Sequence, residues 1–370
     1  MKKILFIVNL DKFFVSHRLP IAISLLENGY EVHIASKFTE NENRLKNLGF
    51  ITHNLPIKRT STGIASNLLT FLKIFKLFKC LKPDLIHLIT IKPIIFGGIC
   101  SYFFKEIPIV ASVSGLGFVF SDEGQFSRFR KNIVLLLYKL ALNSTKQIVI
   151  FQNKDDREIL LKKTNLKKQD TRLIYGSGVD LNTFSVNPKE QKKPIVLFAG
   201  RLLISKGVID FIESSKYTKN VRYVISGEFD NDNPDCIDEN LLDKKIKKGY
   251  VEYWGYNKNI ADIINKSSIV ILPSYYGEGL PKILIEAAAC GKPIITTNHP
   301  GCRDAIIENI TGLLVPIKSP ISIAKAINKI IDNDDVRISM GRKGRIFAEK
   351  NFSIDNVVLK HLEIYKYLIY

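Results

Sequence analysis

The chain has 370 residues, 46% of them hydrophobic, and carries 54 Lys and Arg against 36 Asp and Glu, a formal charge of +18. That length suits two domains of ordinary size, and the apolar content is ample for two cores. The five cysteines, at 80, 100, 236, 290 and 302, show neither CxxC nor metal-like spacing, so they read as reduced, mostly buried thiols.

Met1-Lys-Lys leads into the apolar run Ile4 to Val8, which soon meets Asn9 and Asp11. The run is too short for a membrane span and has no cleavage site, so we expect a cytosolic chain without signal peptide or transmembrane helix. Short apolar strands then alternate with amphipathic helices. In the first half strands are expected at Ile4–Val8, Glu31–Ala35, Asp84–Leu88, Ile109–Val113 and Gln147–Phe151. A helix Pro20–Asn28 is closed by Gly29, an ordinary helix stop. The first strand–turn–helix lacks G-x-G-x-x-G, which argues against a dehydrogenase cofactor site. After a polar linker, about Asp180 to Lys193, strands are expected at Ile195–Phe198, Arg222–Ser226, Val251–Tyr253, Ile269–Leu272 and Pro293–Thr296.

Such alternation implies parallel sheets covered by helices on both faces. We therefore expect an α/β fold of two Rossmann-like domains, residues 1–183 and 184–352, facing each other across a cleft, with ligands at the carboxyl ends of the strands. No low-complexity tract or solenoid repeat interrupts it. Charge is unevenly placed: residues 1–185 hold 27 basic and 14 acidic residues, a balance of +13, and the remainder 27 and 22, a balance of +5. A basic first half calls for an anionic partner, whether nucleic acid, anionic lipid or a pyrophosphate-linked substrate. No nucleic-acid recognition module is present, so nucleic acid is not expected.

Residues 278–293 read E-G-L-P-K-I-L-I-E-A-A-A-C-G-K-P. The strand Ile269–Leu272 ends at Pro273, and a helix is expected from near Pro281, a favoured first-turn residue. Glu278 and Gly279 then sit at a strand-to-helix turn whose outward amides, including that of Leu280, attract an anion or sugar hydroxyls. Glu286 falls more than a turn into the helix, where its carboxylate can take a vicinal diol. A second element agrees. Gly200-Arg201 follows the strand Ile195–Phe198, and Lys206-Gly207 opens the next helix. Arg can grip two phosphate oxygens, and Lys acts as a point charge.

The pattern E-G-x-P-x-x-x-x-E-A-x-A-x-G-x-P, together with G-R-x4-K-G, resembles the retaining nucleotide-sugar glycosyltransferases of family 4, which have the GT-B fold. The resemblance covers essentially the whole chain. It implies a donor-diphosphate clamp at Arg201 and Lys206, Glu278 near the reacting sugar, and Glu286 on the ribose hydroxyls. Gly227-Glu228 ends a strand, and the stretch to Pro234 is expected to help shape the donor pocket. Trp254-Gly255-Tyr256 also ends a strand, and the resemblance implies that its backbone frames the base, although a core role for Trp254 stands beside that reading. The C-terminal helix, within 353–370, is expected to cross back to the first domain. No D-x-D stands where a metal-dependent site would need one, since Asp230-Asn-Asp232 lies in a second-domain loop. No cofactor and no essential metal are therefore expected.

On the first domain the acceptor-side candidates are His17 and Arg18, read as opening the first helix, Lys92 in Thr90-Ile-Lys-Pro, and Ser114-Gly115 in the run V-S-G-L-G-F-V-F. His87, read as ending a strand, is the lesser histidine candidate. The histidine that many family members carry after the strand ending at Val113 is absent, so a side-chain general base is in doubt. A front-face mechanism does not need one. The runs F-V-S-H-R-L-P and V-S-G-L-G-F-V-F resemble bacterial surface-polysaccharide and glycan-assembly members. The expected reaction moves a sugar, with UDP-N-acetylhexosamine as first choice of donor, to a glycan linked to a polyprenyl diphosphate. Two basic-apolar segments invite membrane contact. For Phe71–Lys82 a core role is favoured. For Arg128–Leu142 the cluster Arg128, Arg130 and Lys131 favours peripheral binding to the cytosolic membrane face. The rival readings are a UDP-sugar epimerase of GT-B type and a non-enzymatic lipid- or RNA-binding protein.

Overall fold

Every strand pairing in the two sheets is parallel. The computed structural model describes residues 1–57, 63–117, 125–187, 189, 191–231 and 233–370. The chain divides into one unit of Met1–Ser177 with Asp355–Tyr370, and a second of Gly178–Ile354.

The first unit carries β1 (Lys3–Leu10), β2 (Glu31–Lys37), β3 (Ile51–Asn54), β4 (Leu85–Ile89), β5 (Ile109–Val113), β6 (Gln147–Phe151) and β7 (Thr171–Leu173), in the order β3-β2-β1-β4-β5-β6-β7. Alternation along β1 supplies two cores, because successive side chains leave opposite faces of a sheet. Ile4, Phe6 and Val8 pack with residues of the helices Asp11–His17, Leu19–Glu27 and Ile354–Ile369. Leu5 and Ile7 pack with residues of the helices Ile64–Leu81, Ile91–Cys100 and Gln125–Ala141. The last helix enters the first core through Val357, Ile364 and Tyr365.

The second unit carries β8 (Ile195–Ala199), β9 (Arg222–Ser226), β10 (Glu252–Tyr253), β11 (Ile269–Leu272), β12 (Ile294–Thr297) and β13 (Gly312–Val315), in the order β10-β9-β8-β11-β12-β13. The order reverses between β8 and β11. In open α/β sheets the crevice at such a reversal, outside the carboxyl ends of the strands, is where ligands bind. The first unit has the corresponding reversal between β1 and β4.

Several expectations change. The units divide at 177/178 rather than 183/184: Val179 N donates to Phe352 O (2.8 Å) and Ile354 N to Val179 O (3.0 Å), which ties this stretch to the second unit. The edge strands β3, β7 and β13 are additional. His17 ends the helix Asp11–His17 instead of opening one, and Arg18 caps the next. His87 lies mid-strand in β4, fully buried. Pro281 is the cap of the helix Lys282–Ala289, just outside it. Of the cysteines, 100, 290 and 302 are buried, and all five are free thiols.

Candidate functional site

The donor-side residues of the sequence pattern gather at the β8/β11 reversal. Gly200 and Arg201 leave β8, and a single 3-10 turn, Ile204–Lys206, returns the chain to the helix Val208–Ser214. From β11 the chain runs through Ser274–Leu280 to the helix Lys282–Ala289. Lys206 Nζ and Glu278 Oε1 meet across the crevice at 2.7 Å, both largely buried. Arg201 donates through Nη1 to Asp230 Oδ2 at 2.6 Å. Burial works against the Arg201 charge, but Asp230, with Tyr276 and Glu278, outweighs it and holds its pKa above the usual value. The result is two fixed cations, each already beside a carboxylate.

The turns touch at backbone level. A Cβ on Gly227 would lie 1.8 Å from Gly200 O, so only glycine fits there. Gly301, which the sequence reading did not single out, has φ +81 and a virtual Cβ 2.4 Å from Gly279 O and 2.6 Å from Glu278 O. It lets the loop after β12 press against the turn that carries Glu278. Glu286 is buried on the helix. Burial pushes its carboxyl pKa up, and Lys282, with Nζ at 3.5 Å, only partly opposes this. Leu280 is buried, and Tyr256 is exposed. Trp254 donates through Nε1 to Glu252 Oε2 at 3.2 Å, with the Arg222 guanidinium 5.9 Å from its ring centre. Asp232 lies outside the described residues.

In the first unit the structure joins Arg18 to Ser114: Nη2 lies 3.4 Å from the Ser114 Oγ, and Nη1 donates to His17 O at 3.0 Å. Arg18 is 1% exposed, and burial pulls its pKa down to about 10. The His17 ring stacks on Phe13 at 4.1 Å, with Nδ1 3.3 Å from Phe13 O. Lys92 sits in the first turn of the helix Ile91–Cys100, and its Nζ donates to Asn67 Oδ1 at 3.4 Å. Gly115 comes two residues after the end of β5, while Phe118, Val119 and Phe120 of the same run lie outside the described residues. His87 is structural. Its ring nitrogens pair with Tyr365 OH (2.6 Å) and Ser112 Oγ (2.7 Å), and burial, with Arg18 and His361 nearby, drives its pKa well down.

The two basic-apolar segments are both helical. On Gln125–Ala141, Leu135 and Tyr138 turn inward, while Phe129, Ile133, Leu136 and Leu140 form an exposed stripe near Arg128, Arg130, Lys131 and Lys139. The other helix starts earlier than expected, at Ile64. Ile74 and Phe78 enter the core as expected, but Leu68, Leu69 and Leu72 face outward beside Lys73, Lys76 and Lys79. Among the described residues no helix is long and apolar enough to cross a membrane.

Comparisons with known proteins bear on the family and the fold. The model of glycosyl transferases group 1 matches residues 180–347, and that of glycosyl transferase 4-like proteins matches residues 3–153. The chain belongs to the family 4 glycosyltransferases of GT-B fold, and it is a glycosyltransferase. It is 28% identical, over 95% of each chain, to the N,N'-diacetylbacillosaminyl-diphospho-undecaprenol alpha-1,3-N-acetylgalactosaminyltransferase of Campylobacter jejuni. It is 24% identical, over 84% of this chain and 82% of the other, to the UDP-Gal:alpha-D-GlcNAc-diphosphoundecaprenol alpha-1,3-galactosyltransferase of Escherichia coli. Anabaena HepE, solved with UDP, superposes with a TM-score of 0.80 at 16% identity, covering 98% of this chain and 99% of that one. These matches do not favour the epimerase or the binding-protein reading.

Proposed function

We propose that the chain is a retaining transferase that moves an N-acetylhexosamine from a UDP donor to a hydroxyl of a polyprenyl-diphosphate-linked glycan. It works in surface-polysaccharide assembly, of O-antigen or lipopolysaccharide kind, while bound peripherally to the cytosolic membrane face. The observation that carries the reading is the Lys206–Glu278 pair beside Arg201 at the β8/β11 crevice. The names of the Campylobacter and Escherichia relatives support the lipid-linked acceptor, the first also an N-acetylhexosamine and the second a UDP donor.

Chemically, the bond from the anomeric carbon to the phosphate oxygen breaks while the acceptor oxygen bonds to that carbon on the same face. Arg201 and Lys206 stabilise the charge that collects on the leaving diphosphate. Glu278 lies beside the sugar, and its carboxylate favours the positive character of the anomeric centre. The acceptor proton passes to the departing phosphate, so no side-chain base is required. Glu286 takes the ribose hydroxyls, and Gly200, Gly227, Gly279, Leu280 and Tyr256 frame the donor. His17, Arg18, Lys92, Ser114 and Gly115 serve the acceptor. Two fixed cations cover the diphosphate charge, so no metal is required and activity should survive chelation by EDTA.

A thermal-shift panel of UDP-, GDP- and dTDP-sugars tests the donor. A ligand at a hundred times its Kd stabilises by about 2.7 kcal/mol, and UDP-N-acetylhexosamine is expected to give the largest shift. No shift with any nucleotide sugar would sink the reading. Proton NMR of the first product formed settles the anomeric outcome.

A further inference from the structure

Residues 228–231 and 233–237, which follow β9, lie outside the two sequence motifs that carry Arg201, Lys206, Glu278 and Glu286, yet they are stitched along the turn that bears the two cations. Leu202 N donates to Glu228 O (3.1 Å), Ile204 N to Asp235 O (2.8 Å), and Ile237 N to Leu202 O (2.9 Å). Leu203 and Cys236 form an antiparallel bridge. Two carboxylates fix the side chains within this frame. Asp230 takes one edge of Arg201 through Nη1. Asp235 Oδ2 accepts from Ser205 N (3.1 Å) and from the Ser205 hydroxyl. Ser205 O in turn accepts from Tyr275 N (2.8 Å) and from Ser274 Oγ (3.4 Å), in the strand-end loop that leads to Glu278.

We propose that Asp230 and Asp235 are positioning residues for the donor diphosphate: Asp230 orients Arg201, and Asp235, through Ser205, sets the spacing of Lys206 and Glu278. This rests on the functional reading above and deepens it. A guanidinium has five N–H donors in a rigid fork. Asp230 engages Nη1, which leaves Nε and Nη2 to present to phosphate oxygens. A carboxylate that merely neutralised Arg201 would compete with the diphosphate, and its removal would tighten binding. A carboxylate that orients Arg201 gives the opposite sign. Asp235 acts one step further away, on the backbone of the residue before Lys206, so it governs where that ammonium starts.

The test compares wild type, Asp230→Ala, Asp230→Asn and Asp235→Ala by calorimetry with UDP, inorganic pyrophosphate and uridine, alongside melting temperatures. Asp230→Ala is expected to weaken UDP and pyrophosphate by about tenfold or more, the scale of a lost charged hydrogen bond, with uridine unchanged. Asp230→Asn keeps an oxygen acceptor for Nη1 and is expected to recover most of the loss. Asp235→Ala is expected to weaken UDP and pyrophosphate with uridine unchanged, and UDP binding equal to wild type in that variant would overturn its part of the proposal. Equal or tighter UDP binding in Asp230→Ala would overturn the proposal, as would parallel losses for UDP and uridine, which mark a structural role alone. If wild type bound uridine, UDP and pyrophosphate all negligibly, the functional reading itself would fail, and this inference with it.

Discussion

Glu278 and Glu286 belong to one motif but stand in different surroundings, and their amides should fail differently. Glu278 pairs with Lys206 at the mouth of the crevice, and Glu286 is buried behind it. Glu278→Gln is expected to lower turnover while UDP still binds, whereas Glu286→Gln is expected to weaken UDP. If Glu286→Gln binds UDP as wild type does, the ribose assignment is wrong. A different carboxylate is expected to contribute to acid stability. Asp11 is fully buried and accepts from the amides of Thr39, Glu40 and Asn41 and from the Thr39 hydroxyl. Burial alone would raise its pKa, but these donors overcome it and bring the value down to about 2. A depressed folded pKa means stability that is fully present above the unfolded value near 4 and is lost as pH falls towards 2. The shift corresponds to about 2 kcal/mol. Asp11→Asn should lose roughly that at pH 7 and show a flatter stability curve between pH 4 and 2 by urea denaturation. A mutant curve parallel to wild type across that window would rule the linkage out.

At the scale of elements, the helix Ile354–Ile369 is held in the first unit by more than apolar packing. Tyr365 OH and the Ser112 hydroxyl saturate the two nitrogens of the buried His87 ring. Tyr365→Phe keeps the ring packed against Phe6 but leaves a buried imidazole nitrogen without its partner, which costs about 1–3 kcal/mol. Chemical denaturation should report that loss with little change in UDP affinity. A neutral substitution would show that the ring alone holds the helix. The element scale also explains what the sequence makes legible. Ile109–Val113, Gln147–Phe151 and Ile269–Leu272 are central strands, buried along their length, and they read as short apolar or β-branched runs with the bounds observed. The strands β3, β7 and β13 sit at sheet edges, and two of them are short and polar, Ile-Thr-His-Asn and Thr-Arg-Leu. Their identity comes from one neighbouring strand rather than from their own pattern. The site divides the same way. Arg201, Lys206, Glu278 and Glu286 stand at fixed offsets from strand and helix ends. Asp230, Asp235 and Gly301 owe their place to loop-to-loop contacts that no spacing encodes.

For the molecule as a whole, the uneven charge and the outward apolar stripes bear on one question, how an enzyme with no described spanning helix would reach a lipid-linked acceptor. Residues 1–185 carry a balance of +13 against +5 for the rest. The helix Gln125–Ala141 exposes Phe129, Ile133, Leu136 and Leu140, with Phe129 69% exposed, and places Arg128, Arg130 and Lys131 alongside. Apolar side chains on one face flanked by cations suit the interface of an anionic leaflet. Each basic residue near such a surface contributes about 1 kcal/mol, and salt screens it over a Debye length of about 10 Å at 0.1 M. The protein should therefore pellet with anionic vesicles at low salt and release as salt rises, with weak binding to neutral vesicles throughout. Changing Arg128, Arg130 and Lys131 together to Glu should abolish pelleting and spare activity on a short water-soluble acceptor. Leu68, Leu69 and Leu72 on the helix Ile64–Leu81 form a second outward patch, so a paired substitution of Leu68 and Leu72 by Ser resolves the two contributions. If the charge-reversed protein still pellets while the Leu68/Leu72 variant does not, the earlier helix is the membrane contact and Gln125–Ala141 serves the core. Pelleting that both variants retain would place the contact on another surface altogether.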